Sequence, residues 1–346
     1  MRSRKSSGVS KAAHSSAIRT YVHHMKILVR LPNWLGDMVM SVGFINQLSV
    51  LYPGAEINLV AKKGIHELLP LFPVQHHAFV FDKNEFSGLK GVRKFGKKLQ
   101  AEVKPDLFFC LPDSFSSAFM AFSSGAKKTV GYKKELRQIL LTHAYKKPEG
   151  LHRAEEYVQL LALFTGRQTT TPQVILHHDF PKQDHVVVNI NSEATSRRLT
   201  VNKAAELIRV LKTQISNRIV LIGAPKEKEF IDKVLDETGM EGMENMAGQT
   251  SLMQLAAVLA SARFLLSTDS GPAHLANAMG TPVIVLFGAG REEKTAPYRK
   301  DICTTIRLGQ LSCEPCEKNI CMRYDVPQCL ERLNSMQIVH AAKIYL

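Results

Sequence analysis

Short, almost unbroken apolar runs alternate along this chain with longer stretches whose apolar positions recur three and four residues apart. Continuous runs of this kind suit strands covered on both faces, and the three-and-four spacing suits amphipathic helices. Strands are expected at 25–30 (MKILVR), 55–61 (AEINLVA), 78–81, 105–111 and 129–132, the last near a sheet edge. Helices are expected after the break at 31–37 through about 52, where Met38, Ser41, Val42, Ile45 and Leu48 share one face, and at 88–101, 114–123 and 152–164. The pattern fails over 166–181, which holds Thr169, Thr170, Thr171, Pro172 and Pro181, and this is the expected linker. It resumes with strands at 185–190, 218–223, 264–266 and 283–287, helices at 201–214, 226–238 and 251–260, and a short extended segment at 245–247. Strand–helix alternation of this kind predicts an α/β protein of two Rossmann-like, doubly wound parallel-sheet domains, over 25–175 and 182–346, with no detectable sequence repeat between them.

In open parallel sheets, ligands bind beyond the C-terminal ends of the strands. The polar turns at 31–37, 191–198, 223–227 and 268–274 all follow strands, so a cleft between the two domains is the expected site. Gly36-Asp37 opens the first helix; its carboxylate either caps that helix or serves as a general base. In the turn NSEATSRR, the forks of Arg197 and Arg198 beside Ser196 match diphosphate oxygens, unless the loop is only a solvated basic surface. Glu227 either accepts from ribose hydroxyls or steadies the first turn of its own helix. The stretch 263–288 (RFLLSTDSGPAHLANAMGTPVIVLFG) places Asp269, Ser270, Gly271 and Pro272 at a helix start, with His274 one turn later. Asp269 or Ser270 can cap that helix, and its amides and partial positive charge suit a phosphate.

Composition narrows the choices. With 45 Lys+Arg against 31 Asp+Glu, the net charge of +14 favours polyanionic partners. Five of those cations (Arg2, Arg4, Lys5, Lys11, Arg19) lie in residues 1–24, a Ser-rich basic extension without an acid or a secretory apolar core. It reads as a disordered tail, a stretch ahead of a natural start at Met25, or a transit peptide. No apolar run reaches membrane-spanning length. Neither G-x-x-x-x-G-K-[ST] nor a strand-borne G-x-G-x-x-G is present, which removes support for P-loop and dinucleotide readings. Cys313, Cys316, Cys321 and Cys329 have a spacing that could hold structural zinc or an iron–sulfur cluster, or could equally stay as thiols on a loop. Cys110 and Cys303 read as small buried hydrophobes.

Four blocks, PNWLGDMVMS at 32–41, NSEATSRRL at 191–199, GAPKE at 223–227 and the long run at 245–288, resemble glycosyltransferase family 9, the ADP-heptose–lipopolysaccharide heptosyltransferases. The Trp-x-Gly-Asp-Met form of the first block is closest to heptosyltransferase II. The resemblance implies a GT-B fold and an inverting transfer that needs no cofactor. It implies ADP-L-glycero-D-manno-heptose as donor and the heptose of a lipid A–Kdo–heptose inner core as acceptor. Asp37 falls on the family's general base, Arg197 where the family often has a phosphate-contacting lysine, and Glu227 on a nucleoside-binding carboxylate. Asp269, Ser270, Gly271 and His274 fall on the donor turn. Leu199-Thr200 stands where Trp-Pro is usual. Asn33, Trp34 and Gly36, with Lys94 and Lys97 of the basic 88–101 helix, form the expected acceptor side. A monomer, cytoplasmic and peripheral on the anionic inner face of the inner membrane, follows from the same resemblance. Another nucleotide-sugar enzyme of the same fold, a different core glycosyltransferase or an epimerase, is the competing enzyme. A nucleic-acid-binding protein would suit the charge, but only 7% of residues are aromatic and no recognition helix stands out.

Overall fold

A computed structural model describes residues 25–346; the extension expected over 1–24 lies outside the described residues. The first half contributes β1 (Lys26–Arg30), β2 (Glu56–Lys62), β3 (His77–Phe81), β4 (Leu107–Cys110), β5 (Lys128–Tyr132) and β6 (His143–Tyr145). These pair in parallel in the order β3-β2-β1-β4-β5-β6. The second half repeats the plan with β7 (His185–Asn189), β8 (Arg218–Leu221), β9 (Met243–Asn245), β10 (Leu265–Thr268), β11 (Val283–Phe287) and β12 (Cys303–Arg307). Its order, β12-β11-β10-β7-β8-β9, is the same winding. In each sheet the order reverses between its first and fourth strands, the switch point where doubly wound sheets bind ligands.

Helices cover both faces of both sheets. Between the sheets lie α1 (Leu35–Met40) and α2 (Val42–Leu51). On the outside of the first sheet are α3 (Gly88–Glu102) and α4 (Phe115–Ser123); α5 (Arg153–Thr165) returns to the inner side. The second half adds outer helices α6 (Val201–Gln214) and α7 (Lys228–Thr238) and inner helices α8 (Leu252–Ser261) and α9 (Gly271–Ala278). The chain closes with α10 (Glu292–Thr295), α11 (Gln328–Glu331) and α12 (Ser335–Ala342), the last packed on α6. Side chains alternate across each strand. In β1, Ile27 and Val29 enter a core that continues through α1, α5, α8 and α9 into the second half, and Leu28 faces α3 and α4. One apolar core thus spans the junction, flanked by one outer core per sheet.

Three sequence expectations change in detail. The helix expected after 31–37 starts earlier, at Leu35, and is interrupted at Ser41, whose hydroxyl donates back to Met38 O at 2.6 Å, a local bond that competes with regular helix geometry. β5 lies near the sheet edge as expected, but an unexpected three-residue strand, β6, with no apolar run to announce it, pairs outside it. The short extended segment is β9 at Met243–Asn245, two residues earlier than expected. Over 166–184 there is neither helix nor strand, but the segment is strapped down by Leu176 N–H to Ala278 O at 2.9 Å and His177 N–H to Leu71 O at 2.8 Å.

Candidate active site

The two switch points face each other through the starts of α1 and α9. Gly36 lies flat under the His274 ring, and a Cβ there would sit 2.7 Å from His274 Cδ2; a Cβ on Gly271 would meet Leu35 at 2.9 Å. Glycine at both positions lets the helix starts close on one another. This contact sets Asp37, the next residue of α1, at the junction between the two halves.

On the first sheet, Asp37 is partly buried, and burial raises its pKa above the ordinary carboxylate range. Arg153 opposes that rise, with Nε 3.7 Å from Asp37 Oδ1, and Lys147 opposes it from further off. Behind them runs a charge chain. Arg153 Nη1 pairs with Glu156 at 3.1 Å, Lys147 bridges Glu156 and Asp113 at 3.1 Å each, and the buried Arg137 lies 3.6 Å from Asp113. Burial thus raises the Asp37 pKa, and the Arg153 and Lys147 cations work against that rise. Asn33 accepts from the buried Arg30 at 2.5 Å, which fixes the turn before α1, while Trp34 stands 62% exposed.

On the second sheet, polar residues end the strands. Asn189 Nδ2 donates to Ser270 Oγ at 2.7 Å and Ser267 Oγ at 3.1 Å, and Thr268 Oγ1 donates to Asn191 O at 2.6 Å, tying the two turns together. Arg197 Nη1 lies 3.2 Å from Asp269 Oδ2, a carboxylate only 5% exposed. Burial raises the Asp269 pKa, and Arg197 and then Arg307 oppose it. Among the described residues, Asn191 Oδ1, Arg197 Nε and Asp269 Oδ2 are buried atoms with no hydrogen-bond partner. Buried polar atoms are rarely left so, and three at one switch point mark a place for a polar ligand. Ser270 is the N-cap of α9, yet its hydroxyl donates to Thr268 O, so no side chain caps the first turn and the expected capping is absent. Pro272 occupies the first turn as anticipated.

The structure separates the remaining candidates. Arg198 turns away from Arg197 and stacks on Phe230, 4.9 Å from the ring centre. Ser196 is buried and donates to Lys318 O at 2.5 Å, anchoring the arginine turn to the Cys-rich loop. Glu227 accepts from Ala224 N–H at 2.7 Å, so one of its oxygens steadies its own turn. His274 is buried in the junction, and burial lowers its pKa to about 3, so it is a neutral ring packed on Gly36 and not a cation. Lys94, over the Phe86 ring, and Lys97, bonded to Gln100 at 2.8 Å, sit on the exposed face of α3.

Cys313, Cys316, Cys321 and Cys329 are all thiols around one void of about 20 Å³. Burial pushes the Cys329 thiol up to about 11. Among the described residues no three Cys, His, Asp or Glu side chains are placed to hold a metal ion, so the expected thiolate site is not preformed. The thiols sit on separately anchored segments: Cys329 on α11 against Gly288, and Cys313, Cys316 and Cys321 on the irregular loop. Sequence reasoning missed the charge chain through Arg153, Lys147, Glu156 and Asp113, and it missed Arg307. The Arg307 guanidinium holds Gly288 O at 2.6 Å and Glu292 at 2.9 Å, fixing the loop that wraps Asp269. A carboxylate three residues past β4 was the available signal for Asp113, and a basic residue at a strand end for Arg307.

Two doubly wound halves packed on one another through α1 and α9, with Asp37 at one switch point and the Arg197–Asp269 pair at the other, have the arrangement of a GT-B fold. The sequence profile of glycosyltransferase family 9 (heptosyltransferase) matches residues 92–325. Lipooligosaccharide heptosyltransferase 2 of Haemophilus influenzae is 29% identical over 312 residues, covering 82% of this chain and 89% of that protein. Lipopolysaccharide heptosyltransferase 2 of Escherichia coli is 28% identical over 300 residues, covering 79% and 85%. The solved structure of E. coli ADP-heptose LPS heptosyltransferase II superposes with a TM-score of 0.76 at 24% identity, covering 93% of this chain and 98% of that one. The chain belongs to glycosyltransferase family 9.

Proposed function

We propose that this protein moves heptose from ADP-L-glycero-D-manno-heptose to the inner-core heptose of lipopolysaccharide, with inversion at the anomeric carbon. The observation that carries the reading is that Asp37 lies on one side of the junction and, on the other, buried polar atoms of Asn191, Arg197 and Asp269 lack a hydrogen bond, the last two held together by their ion pair. Asp37 takes the proton of the acceptor hydroxyl as its oxygen bonds to the anomeric carbon. The bond to the diphosphate breaks on the opposite face, and ADP leaves with the electron pair. Arg197 and the uncapped amides of α9 meet the charge that develops on the leaving group. Residues 25–175 hold the acceptor and residues 182–346 the nucleotide sugar. Glu227 is one turn away for the ribose, and closure of the halves excludes water. The names of the family relatives support heptose as the transferred sugar and lipopolysaccharide as the acceptor class. The enzyme works as a monomer on the inner face of an anionic membrane.

The test is incubation of the purified protein with ADP-heptose and a deacylated lipid A–Kdo–heptose acceptor, with chelator present, followed by mass spectrometry. One added heptose and inverted anomeric configuration are expected. Isomerised sugar without acceptor would establish the epimerase instead, and transfer from a different nucleotide sugar would overturn the donor.

A further inference from the structure

Amphipathic helices on a protein surface normally turn polar residues outward. α4 does not. Its buried side is Ser117, Ala118, Met120, Ala121 and Ser123; outward it shows Phe115 and Phe122 with Phe119 half-buried beside them, and Ser116 is its one exposed polar side chain. Phe122 is 60% exposed, and Phe115 stacks on Phe119 with ring centres 6.3 Å apart. Against α4 packs a 3-10 turn over Glu135–Leu140, where residues three apart point the same way. That turn presents Leu136 and Ile139, 71% and 74% exposed, while its Arg137 is buried. On the other side α4 packs on α3, whose outward face carries Lys90, Arg93, Lys94, Lys97 and Lys98. Lys133 and Lys134 are exposed just before the 3-10 turn; Glu102 and Glu135 are the exposed acids on these elements.

A contiguous apolar surface edged by cations fits an anionic lipid bilayer: rings and aliphatic chains enter the headgroup boundary, and lysines meet lipid phosphates. We infer that the outer surface formed by Phe115, Phe119, Phe122, Leu136 and Ile139, with the basic face of α3, is where this protein docks on an anionic membrane. Its position deepens the proposed function and, in this respect only, rests on it. α4 begins just beyond Asp113, at the end of β4, and the 3-10 turn follows β5, so both leave the strand ends that carry the charge chain behind Asp37. A sugar acceptor whose lipid stays in the bilayer then reaches the base from the side on which the protein is moored.

The experiment is co-sedimentation of the full chain with phosphatidylcholine vesicles, with and without phosphatidylglycerol. Three proteins are compared: wild type, the triple variant Phe122→Ser/Leu136→Ser/Ile139→Ser, and the triple variant Lys90→Gln/Arg93→Gln/Lys98→Gln. Wild type should pellet with the anionic vesicles only. The apolar variant should bind about tenfold or more weakly, and the charge variant should lose roughly fivefold per cation at low salt. Transfer to a water-soluble deacylated acceptor should be unchanged in the apolar variant, so mooring and chemistry are read separately. Equal vesicle binding by wild type and the apolar variant would overturn the inference, as would no binding by wild type. A self-association in light scattering that the apolar variant abolishes would overturn it too, since the patch would then be covered by a second copy.

Discussion

The two halves share one strand order and differ in what they place at the point where that order reverses. In the first, β1 and β4 end in turns that bring carboxylates to the junction, Asp37 and Asp113, held by Arg153, Lys147 and Arg137. In the second, β7 and β10 end in amides, hydroxyls and one arginine–carboxylate pair, with a helix start that no side chain caps. The same backbone frame thus carries a face of paired carboxylates and cations and a face of amides, hydroxyls and one arginine. Topology decides where chemistry can occur, and only the residues just past each strand decide which chemistry it is.

Substitutions at the two faces should fail in different ways. Asp37→Ala removes the base and should cut turnover about 10²–10⁴-fold, measured at saturating donor and acceptor, with thermal stability near that of wild type. Arg197→Ala should cost about 10²–10³-fold in transfer, with a smaller loss for Arg197→Lys, which keeps the charge but not the two-pronged geometry. Combining Arg197→Ala with Asp269→Asn in a double-mutant cycle should show strong non-additivity, because each is the other's ion-pair partner.

The junction itself is the next target. Gly36→Ala drives a methyl to within 2.7 Å of the buried His274 ring and should destabilise the protein by about 1–3 kcal/mol, seen in thermal unfolding. His274→Ala should relieve part of that loss. An unchanged midpoint would mean that α1 and α9 are not in contact in solution.

The smallest effect should be in pH dependence. Burial raises the Asp37 pKa and the Arg153 charge lowers it. The ionised carboxylate is the working form, so activity is lost as pH falls through this pKa. Arg153→Gln removes the opposing charge, and the acid limb of kcat/KM should move to higher pH. A limb that stays in place, or moves down, would show that Arg153 does not govern the base.

Most of the frame was legible in the sequence because buried parallel strands need unbroken apolar runs, and β1, β7, β10 and β11 supply them. β6 was not, since a three-residue edge strand of His, Ala and Tyr carries no periodic signal. Asp37, Arg197 and Asp269 were legible because they follow strong strands in distinctive turns. The partners of Asp37 were not: Arg153 and Glu156 read as ordinary first-turn residues of α5, and only the closed sheet brings them 116 and more residues back to the base. Ser196 and Arg198 share a motif with Arg197, yet buried anchoring and stacking on Phe230 send them elsewhere. Spacing cannot distinguish neighbours in a turn that face opposite ways.

The central claim is that the base and the donor site belong to different halves. Calorimetric titration of ADP-heptose into wild type, Asp37→Ala and Arg197→Ala tests it most directly. Donor affinity should stay within about twofold of wild type in Asp37→Ala and weaken at least about tenfold in Arg197→Ala, in line with a lost charge-assisted contact. Equal weakening in both, or full affinity without Arg197, would contradict the division of labour between the two sheets.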